Sequence, residues 1–258
     1  MSECFERREA TFIVLGDTCT RRCGFCAIPT GRPDPPDPTE PIRLARAAKE
    51  IGLAHVVITA VARDDLRDGG ADHFAQCVRA IRTQSPDTTV EVLTSDFKGD
   101  EGALRRMSIE DLQIFNHNIE TVDRLQRAVR PQAKYARSLD VLQRFKELRP
   151  DVLTKSGIML GLGETDEEVE ATLRDMHAHR IDIVTIGQYM QPLKDRLDVS
   201  AYSSLERFAR FEAYGDALGF KLTLSGPYVR SSFGAAEAAR VLGVLEDGKR
   251  GPEPQMTG

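Results

Sequence analysis

Apolar and polar positions along the chain alternate between two textures. Short runs rich in β-branched residues, Thr11–Gly16, Ala54–Ala60, Thr89–Thr94, Gln113–Ile119, Thr154–Gly161 and Ile183–Tyr189, read as strands, and Lys221–Leu224 as one more. Between them, apolar residues recur at three- and four-residue spacing and predict helices near 40–51, 71–84, 121–129, 137–147 and 166–178. Thr39 stands where the first helix needs an N-cap, with Pro41 in its first turn. Thr165 does the same for the fifth, ahead of Asp166, Glu167 and Glu168, whose charges suit the positive end of a helix.

Strands alternating with helices form βαβ units around a parallel sheet, and near-continuous apolar strands imply that both faces are covered. The predicted class is α/β. About six units suit a partial (β/α)6-type TIM barrel better than a small doubly wound sheet. Polar residues gather where strands end: Asp17 and Thr18, Arg63–Asp65, Ser95 and Asp96, His117–Glu120, Glu164, and Gln188–Gln191. In barrels that end carries the chemistry. The barrel is expected over 11–225, with short extensions at 1–10 and 226–247 and a tail, 248–258, that reads as disordered. Pro29–Pro41 (PTGRPDPPDPTEP) is a stiff loop.

Composition adds exclusions. The 258 residues are 41% hydrophobic and 29% charged, enough to bury a core without disulfides. A net charge of −5 gives no field to hold a phosphate backbone, so nucleic acid is excluded as the main partner. No apolar run approaches the ~20 residues that span a bilayer, and MSECFERREA lacks a signal peptide's apolar stretch. The expectation is a cytoplasmic monomer without a membrane partner.

Cysteine placement is far from ordinary. Of five cysteines, Cys4, Cys19, Cys23 and Cys26 fall in the first 26 residues, and Cys77 stands alone on an apolar helical face, where it reads as a small buried hydrophobe. Cys19, Cys23 and Cys26 are spaced Cys-x3-Cys-x2-Cys directly after the first strand. Closed structural zinc sites use four ligands, commonly in two pairs. Three thiolates suit a [4Fe–4S] cluster with one iron open to a small molecule. A buried cysteine cluster or a degenerate zinc ribbon is the alternative.

With Phe25 before Cys26, the motif resembles the signature of radical S-adenosylmethionine (SAM) enzymes, which implies a partial or full barrel and reductive cleavage of SAM to a 5′-deoxyadenosyl radical. GDTCTRRCGFCAIPTGRP, VVITAVARDDLRDGGADHF, FNHNIETV, VRPQAKY, TKSGIMLGLGET, TIGQYMQP and SGPYVRSS, in this order, resemble the lipoyl synthase family from about Cys4 to Phe233. The resemblance implies insertion of two sulfur atoms, at C6 and C8 of an octanoyl chain on a carrier-protein lysine. It implies two clusters. Cys19, Cys23 and Cys26 match the ligands of the SAM-binding cluster. Cys4 matches the third cysteine of an auxiliary Cys-x4-Cys-x5-Cys set, so residues 1–10 would be the remnant of that segment. Ser232 matches the serine that caps the auxiliary cluster and is released during sulfur transfer. Implied partners are octanoylated lipoyl domains of 2-oxoacid dehydrogenase E2 subunits, the glycine cleavage H protein, and a flavodoxin or ferredoxin as electron donor.

The first two auxiliary cysteines would stand six and eleven residues before Cys4, upstream of Met1. Either the chain starts at an internal methionine or it has lost the auxiliary cluster; as written it is expected to be inactive in sulfur insertion by itself. A one-cluster radical enzyme with other chemistry, or a non-catalytic iron–sulfur module for acylated carriers, are the rival readings. Ala62, Leu193, Arg196 and Phe233 depart from the family pattern.

Asn116, Asn118 and Glu120, with His117 between them, end the fourth strand and suggest a shell around SAM, against a satisfied structural network. Lys155 and Arg130 are further cofactor-binding candidates, because a charge in a strand needs a partner or a site. For Lys155 a salt bridge to a barrel acid is the alternative. Arg21 and Arg22 could balance the charge of a cluster or simply be solvated. His117 is not expected to bind metal, since no second histidine lies three or four residues on. Lys194 and Arg196 could meet an acidic carrier at the mouth.

Overall fold

Seven apolar runs become seven parallel strands in the computed structural model, which describes residues 8–231 and Gly243. The strands are β1 (Glu9–Val14), β2 (His55–Ala60), β3 (Thr89–Leu93), β4 (Ile114–Asn116), β5 (Leu153–Leu160), β6 (Ile183–Gln188) and β7 (Leu222–Ser225), paired in sequence order. Helices α1 (Glu40–Ile51), α2 (Ala71–Gln84), α3 (Glu101–Ser108), α4 (Gln126–Val129), α5 (Tyr135–Leu148), α6 (Asp166–Ala178) and α7 (Leu205–Leu218) fill the crossovers. Six crossovers and an additional seventh strand make a partial (β/α) barrel, open between β1 and β7. Among the described residues no helix is long and apolar enough to cross a membrane.

Local chemistry explains most boundaries. The capping box at α6 is complete: Thr165 Oγ1 accepts from the Glu168 amide while the Glu168 carboxylate accepts from the Thr165 amide, an arrangement worth about 1 kcal/mol. The expected cap at Thr39 is corrected. Its hydroxyl donates to Asp37 Oδ1 at 2.7 Å and its backbone is already helical, so Asp37, not Thr39, organises that entry. The helix expected over 121–129 is a 3₁₀ turn, Asp123–Leu125, running into the single turn of α4, which stops before Pro131. Two helices escaped the periodicity reading. Asp100 caps α3 through the Ala103 amide, and Ser204 caps α7, which ends on left-handed Gly219. β4 is three residues long because Glu120, at φ +69°, turns the chain to bridge β5 at Ile158.

Outward-facing strand residues such as Val56, Ile58, Val90, Val92 and Phe115 pack under the helices in the main core. There Phe115 stacks on Phe145 at 3.8 Å between ring centroids. Each such fully buried side chain contributes about 1.5–3 kcal/mol of burial. The alternate positions point into the barrel and build it in layers. Ile114, Leu153 and Ile183 with Leu222 form an apolar floor. Above them, fully buried, lie Glu91, Asn116 and Lys155. Higher still, Leu93, Gly157, Met159, Thr185 and Gly187 border open space.

Candidate active site

The strand ends surround two adjoining cavities. The first, about 280 Å³, is lined by Cys19, Cys23 and Cys26 together with Thr59, His117, Asn118, Glu120 and Arg130. The second, about 410 Å³, shares Phe25, Cys26, Leu93, Asn118 and Glu120 with it and extends along Ile158, Met159, Met190 and Val229.

The loop after β1 that carries the cysteines is closed on itself: the Cys19 amide donates to the Pro29 carbonyl at 2.8 Å and the Gly31 amide to the Cys19 carbonyl at 3.0 Å. All three thiols are half-buried and free of disulfides. Cys19 Sγ accepts from the Arg21 and Ala62 amides, each at 3.3 Å. Burial pushes Cys23 up to about 11, against the pull of the Arg130 charge, and raises Cys26 as well. A metal bound here must therefore displace protons, and thiolate ligation supplies the drive. Among the described residues no three Cys, His, Asp or Glu side chains converge on one point as a mononuclear site requires. A polynuclear cluster, each iron taking one thiolate, needs no such convergence, and three free thiols fringing one cavity fit it. Cys77 is buried away from them, as expected.

Neighbouring elements hold this loop. Arg21, 5% exposed, donates to both Asp64 oxygens at 2.8 Å and to Asp96 Oδ1 at 2.5 Å. Arg21 is thus a structural tie, and its guanidinium is already neutralised. Arg22 is exposed, and its amide bonds Gln132 Oε1. The Ala62 carbonyl accepts from both the amide and the hydroxyl of Thr20, so alanine at 62 keeps every backbone contact to the loop. From the far side Leu197 lies over Gly24, where an added Cβ would meet Leu197 Cγ at 2.8 Å; the Leu197 amide donates to the Gly24 carbonyl. This clasp, pinned by Tyr189 Oη on the Leu197 carbonyl at 2.6 Å, had no sequence signal beyond the glycine itself.

The polar candidates divide. Asn118, Glu120 and Arg130 border the cysteine cavity. Burial raises the Glu120 pKa, with the Arg130 charge and the Asn118 amide opposing it. Arg130 is buried, its Nη1 donating to the Ile119 carbonyl at 2.9 Å. Asn118 Oδ1 is buried without a hydrogen-bond partner, an acceptor available to a ligand. His117 lines the cavity but both ring nitrogens are engaged: Nδ1–H donates to the Thr94 carbonyl and Nε2 accepts from Ser138. Burial and the nearby Arg130 charge hold its pKa near 4, so it is neutral.

Lys155 and Asn116 line neither cavity. Lys155 Nζ sits 3.1 Å from both oxygens of Glu91, and Asn116 Nδ2 donates to Glu91 Oε1 at 2.7 Å. Both lie one layer below the cavity floor, because residues two apart on a strand share a face but differ in depth. The salt-bridge alternative for Lys155, and the structural network for Asn116, are what the structure contains. Leu193 is exposed and Arg196 half-buried near the mouth. Cys4, Ser232 and Phe233 lie outside the described residues.

The segment after β7 crosses the mouth. Val229, Arg230 and Ser231 form part of the second cavity's wall, and the Val229 carbonyl lies where a Cβ on Gly187 would come within 2.2 Å. Sequence reading singled out Gln188–Gln191 but not Gly187.

Known proteins agree with this geometry. Residues 13–176 match the model of the Radical SAM superfamily. By fold, the chain is similar to Streptococcus suis SuiB bound to S-adenosylmethionine (TM-score 0.67, 14% identity, 87% of this chain and 52% of that one). It is also similar to methylornithine synthase (TM-score 0.62, 14% identity, 87% and 76%). By sequence it is 53% identical to a lipoyl synthase of Xanthomonas axonopodis pv. citri over 245 residues, 94% of this chain and 73% of that protein. A lipoyl synthase of Rubrobacter xylanophilus is likewise 53% identical over 251 residues, 97% and 76%. A barrel with three cysteines at its mouth, and identity at this level along nearly the whole chain, lead to one conclusion: the chain belongs to the lipoyl synthase family of the radical SAM superfamily.

Proposed function

We propose that this chain catalyses radical insertion of sulfur at C6 and C8 of a protein-bound octanoyl-lysine, forming the lipoyl group. The observation that carries this is the adjacency of the two cavities. The cysteine-lined cavity shares Phe25, Cys26, Leu93, Asn118 and Glu120 with a neighbour along whose wall Ile158, Met159, Met190 and Val229 offer an apolar face suited to an extended acyl chain.

Cys19, Cys23 and Cys26 would hold a [4Fe–4S] cluster; Cys4 and Ser232 are assigned by family resemblance to an auxiliary one, whose other two cysteines are not among the 258 residues, so sulfur insertion requires those two ligands in addition. When bound, the first cluster with SAM supplies hydrogen-abstracting radical chemistry and the second supplies sulfur. The chain's own residues prepare the space for the first. Arg21, gripped by Asp64 and Asp96, fixes the loop that aims the thiols. Glu120 and Asn118 offer a carboxylate and a free amide oxygen where the chambers meet, suited to an ammonium and a hydroxyl or amine of the cofactor. Arg130 places a buried positive charge opposite Cys23, fit for a cofactor carboxylate or the cluster's negative charge. The apolar floor beneath closes the barrel.

Partners on this reading are octanoylated lipoyl domains of E2 subunits or the H protein, and a flavodoxin or ferredoxin as donor, in the cytoplasm. The test is anaerobic incubation of the cluster-loaded chain with SAM, dithionite and an octanoyl-lysine peptide deuterated along the acyl chain. Deuterium should appear in 5′-deoxyadenosine, and Cys23→Ala should form none. SAM cleavage without deuterium transfer would overturn the acyl substrate, and binding without any cleavage would leave only a binding module.

A further inference from the structure

Beside the barrel mouth, between the loop after β3 and the start of α5, lies a groove of about 420 Å³ lined by Lys98, Lys134, Arg137, Asp140, Val141 and Arg144. Four cations against one carboxylate reverse, locally, the sign of a chain whose net charge is −5. Among the described residues Lys98, Lys134 and Arg144 have no carboxylate within salt-bridge distance; Lys98 Nζ donates to the backbone carbonyl of Asp64. Cations left without a counter-carboxylate around a concavity, as Lys98, Lys134 and Arg144 are, are a feature of charge-steered docking surfaces.

The position of this groove gives it a direction. Arg137 Nε lies 2.7 Å from Asp96 Oδ2, and Asp96 Oδ1 lies 2.5 Å from Arg21 Nη2. Arg21 in turn lines the cysteine cavity between Cys19 and Cys23. Lys98 makes a second link, since the Asp64 whose carbonyl it holds also grips Arg21 through its carboxylate. Two side chains, Asp96 and Arg21, therefore join the groove wall at Arg137 to the wall of the cysteine cavity. None of the groove's residues lines either mouth cavity, so an occupant would leave the acyl entrance free.

We infer that this groove docks an acidic one-electron carrier protein, with its redox group against the wall behind Cys19 and Cys23. An acidic surface complements Lys98, Lys134, Arg137 and Arg144, and the short path through Arg137, Asp96 and Arg21 brings the donor near the cluster while the mouth holds cofactor and acyl chain. One electron leaves the carrier, which is oxidised by one equivalent, and enters the cluster, which is reduced by one; no atom moves between the two proteins. The inference rests on the radical reading of the site.

The test uses the Lys134→Glu/Arg144→Glu double variant, because these side chains hold nothing else in the fold. The probe is a reduced bacterial flavodoxin, an acidic flavoprotein, and dithionite is the small reductant for comparison. Flavodoxin binding, followed by flavin fluorescence with no turnover required, should weaken at least tenfold in the variant at low salt. For the unsubstituted chain it should weaken steeply between about 0.02 and 0.3 M salt, as the screening length contracts. Flavodoxin-driven 5′-deoxyadenosine formation should fall at least tenfold while the dithionite-driven rate stays within twofold. Equal flavodoxin binding by both proteins overturns the inference, as does an equal loss with dithionite. A raised KM for an acyl-carrier domain under dithionite, with flavodoxin binding intact, overturns it in favour of carrier docking. If the unsubstituted chain forms no 5′-deoxyadenosine with dithionite, it is the radical reading that fails, and the binding comparison still decides the groove.

Discussion

The carboxylate of Asp96 lies 2.5 Å from the guanidinium of Arg21, with no solvent exposure at the acid and 5% at the base. Arg137 holds the other oxygen at 2.7 Å, so a single acid from the end of β3 fastens both the cysteine loop and the start of α5. Burial pushes the Asp96 carboxyl up, but the bonds and charge of Arg21, with His117 and Arg137 behind them, more than cancel this and hold it well below the usual carboxylate range.

Asp96→Asn should therefore cost about 3–5 kcal/mol at pH 7, because two guanidiniums lose their shared counter-charge in a buried setting. The sign of the pH dependence follows from the depressed pKa. The carboxylate's stabilisation is complete above its unfolded value near 3.8 and is lost as pH falls through the lower folded value. Denaturant unfolding at pH 7 and pH 3 checks this: the gap between the two proteins should narrow at pH 3. A gap of equal size would show that ionised Asp96 is not what binds the loop.

Lys155 and Glu91, both fully buried below the cavity, give a second prediction. Burial alone would raise the Glu91 carboxyl, yet Lys155, together with His55 and the Asn116 amide, outweighs it and the pKa is lowered. Lys155→Met strands that carboxylate and should destabilise by about 3–5 kcal/mol. Lys155→Met/Glu91→Leu removes both charges and should recover most of the loss, as a double-mutant unfolding cycle would report. SAM affinity per folded molecule should change less than twofold in the recovered variant. A selective loss of SAM binding there would restore Lys155 to the cofactor site.

These two ion pairs mark where the sequence was readable and where it was not. The parallel barrel was legible because seven apolar runs separated by helical periods admit few topologies, and Cys19, Cys23 and Cys26 announce themselves by spacing. For Lys155 the sequence left a cofactor and a barrel acid side by side, because a charge within a strand says only that a partner exists; whether that partner is Glu91 or a ligand depends on strand register. The Lys155–Ile183 and Asn116–Lys155 pairings set that depth. Helix α3 was invisible for another reason: Glu101–Ser108 is two turns long, with too few apolar positions to establish a period, and only Asp100 signals its start. The clasp of Leu197 on Gly24 joins residues far apart in the chain, a contact no local pattern encodes.

Glu120 supports a prediction at the junction of the two cavities. Its backbone is fixed, the amide donating to the Gly157 carbonyl and the carbonyl accepting from the Met159 amide, each at 2.9 Å. Glu120→Gln removes the charge at nearly constant volume and should raise the KM for SAM about 10- to 100-fold, the range of about 1.5–3 kcal/mol for a charged hydrogen bond. Burial raises the Glu120 pKa, so in the unsubstituted chain the carboxylate is lost as pH falls through that raised value. KM should climb on the acid side for the unsubstituted chain and stay flat for Glu120→Gln. Parallel profiles would assign the titration, and the cofactor contact, to another group.

Gly187 supports the last prediction, which concerns the segment that closes the acyl chamber. The strand pairing of β6 with β7 ends at Ile186 and Ser225, after which the Gly226 amide donates to the Ile186 carbonyl and the chain turns back over β6. The Val229 carbonyl then occupies the space of a Gly187 side chain, at 2.2 Å from an ideal Cβ. Backbone cannot swing aside as a side-chain tip can, so Gly187→Ala must lift residues 227–231 off the strand, at a cost of about 1–3 kcal/mol for overpacking. Val229, Arg230 and Ser231 would leave the chamber wall with it. Amide hydrogen exchange in a peptide spanning 226–231 should speed up at least tenfold while peptides from β2 and β3 stay unchanged. Acyl-dependent turnover should fall further than the loss of folded protein explains, because the chamber is then open to water on that side. Slow exchange in 226–231 together with full turnover would mean that β6 yields instead of the segment, and that the glycine is a packing accommodation with no part in closing the site.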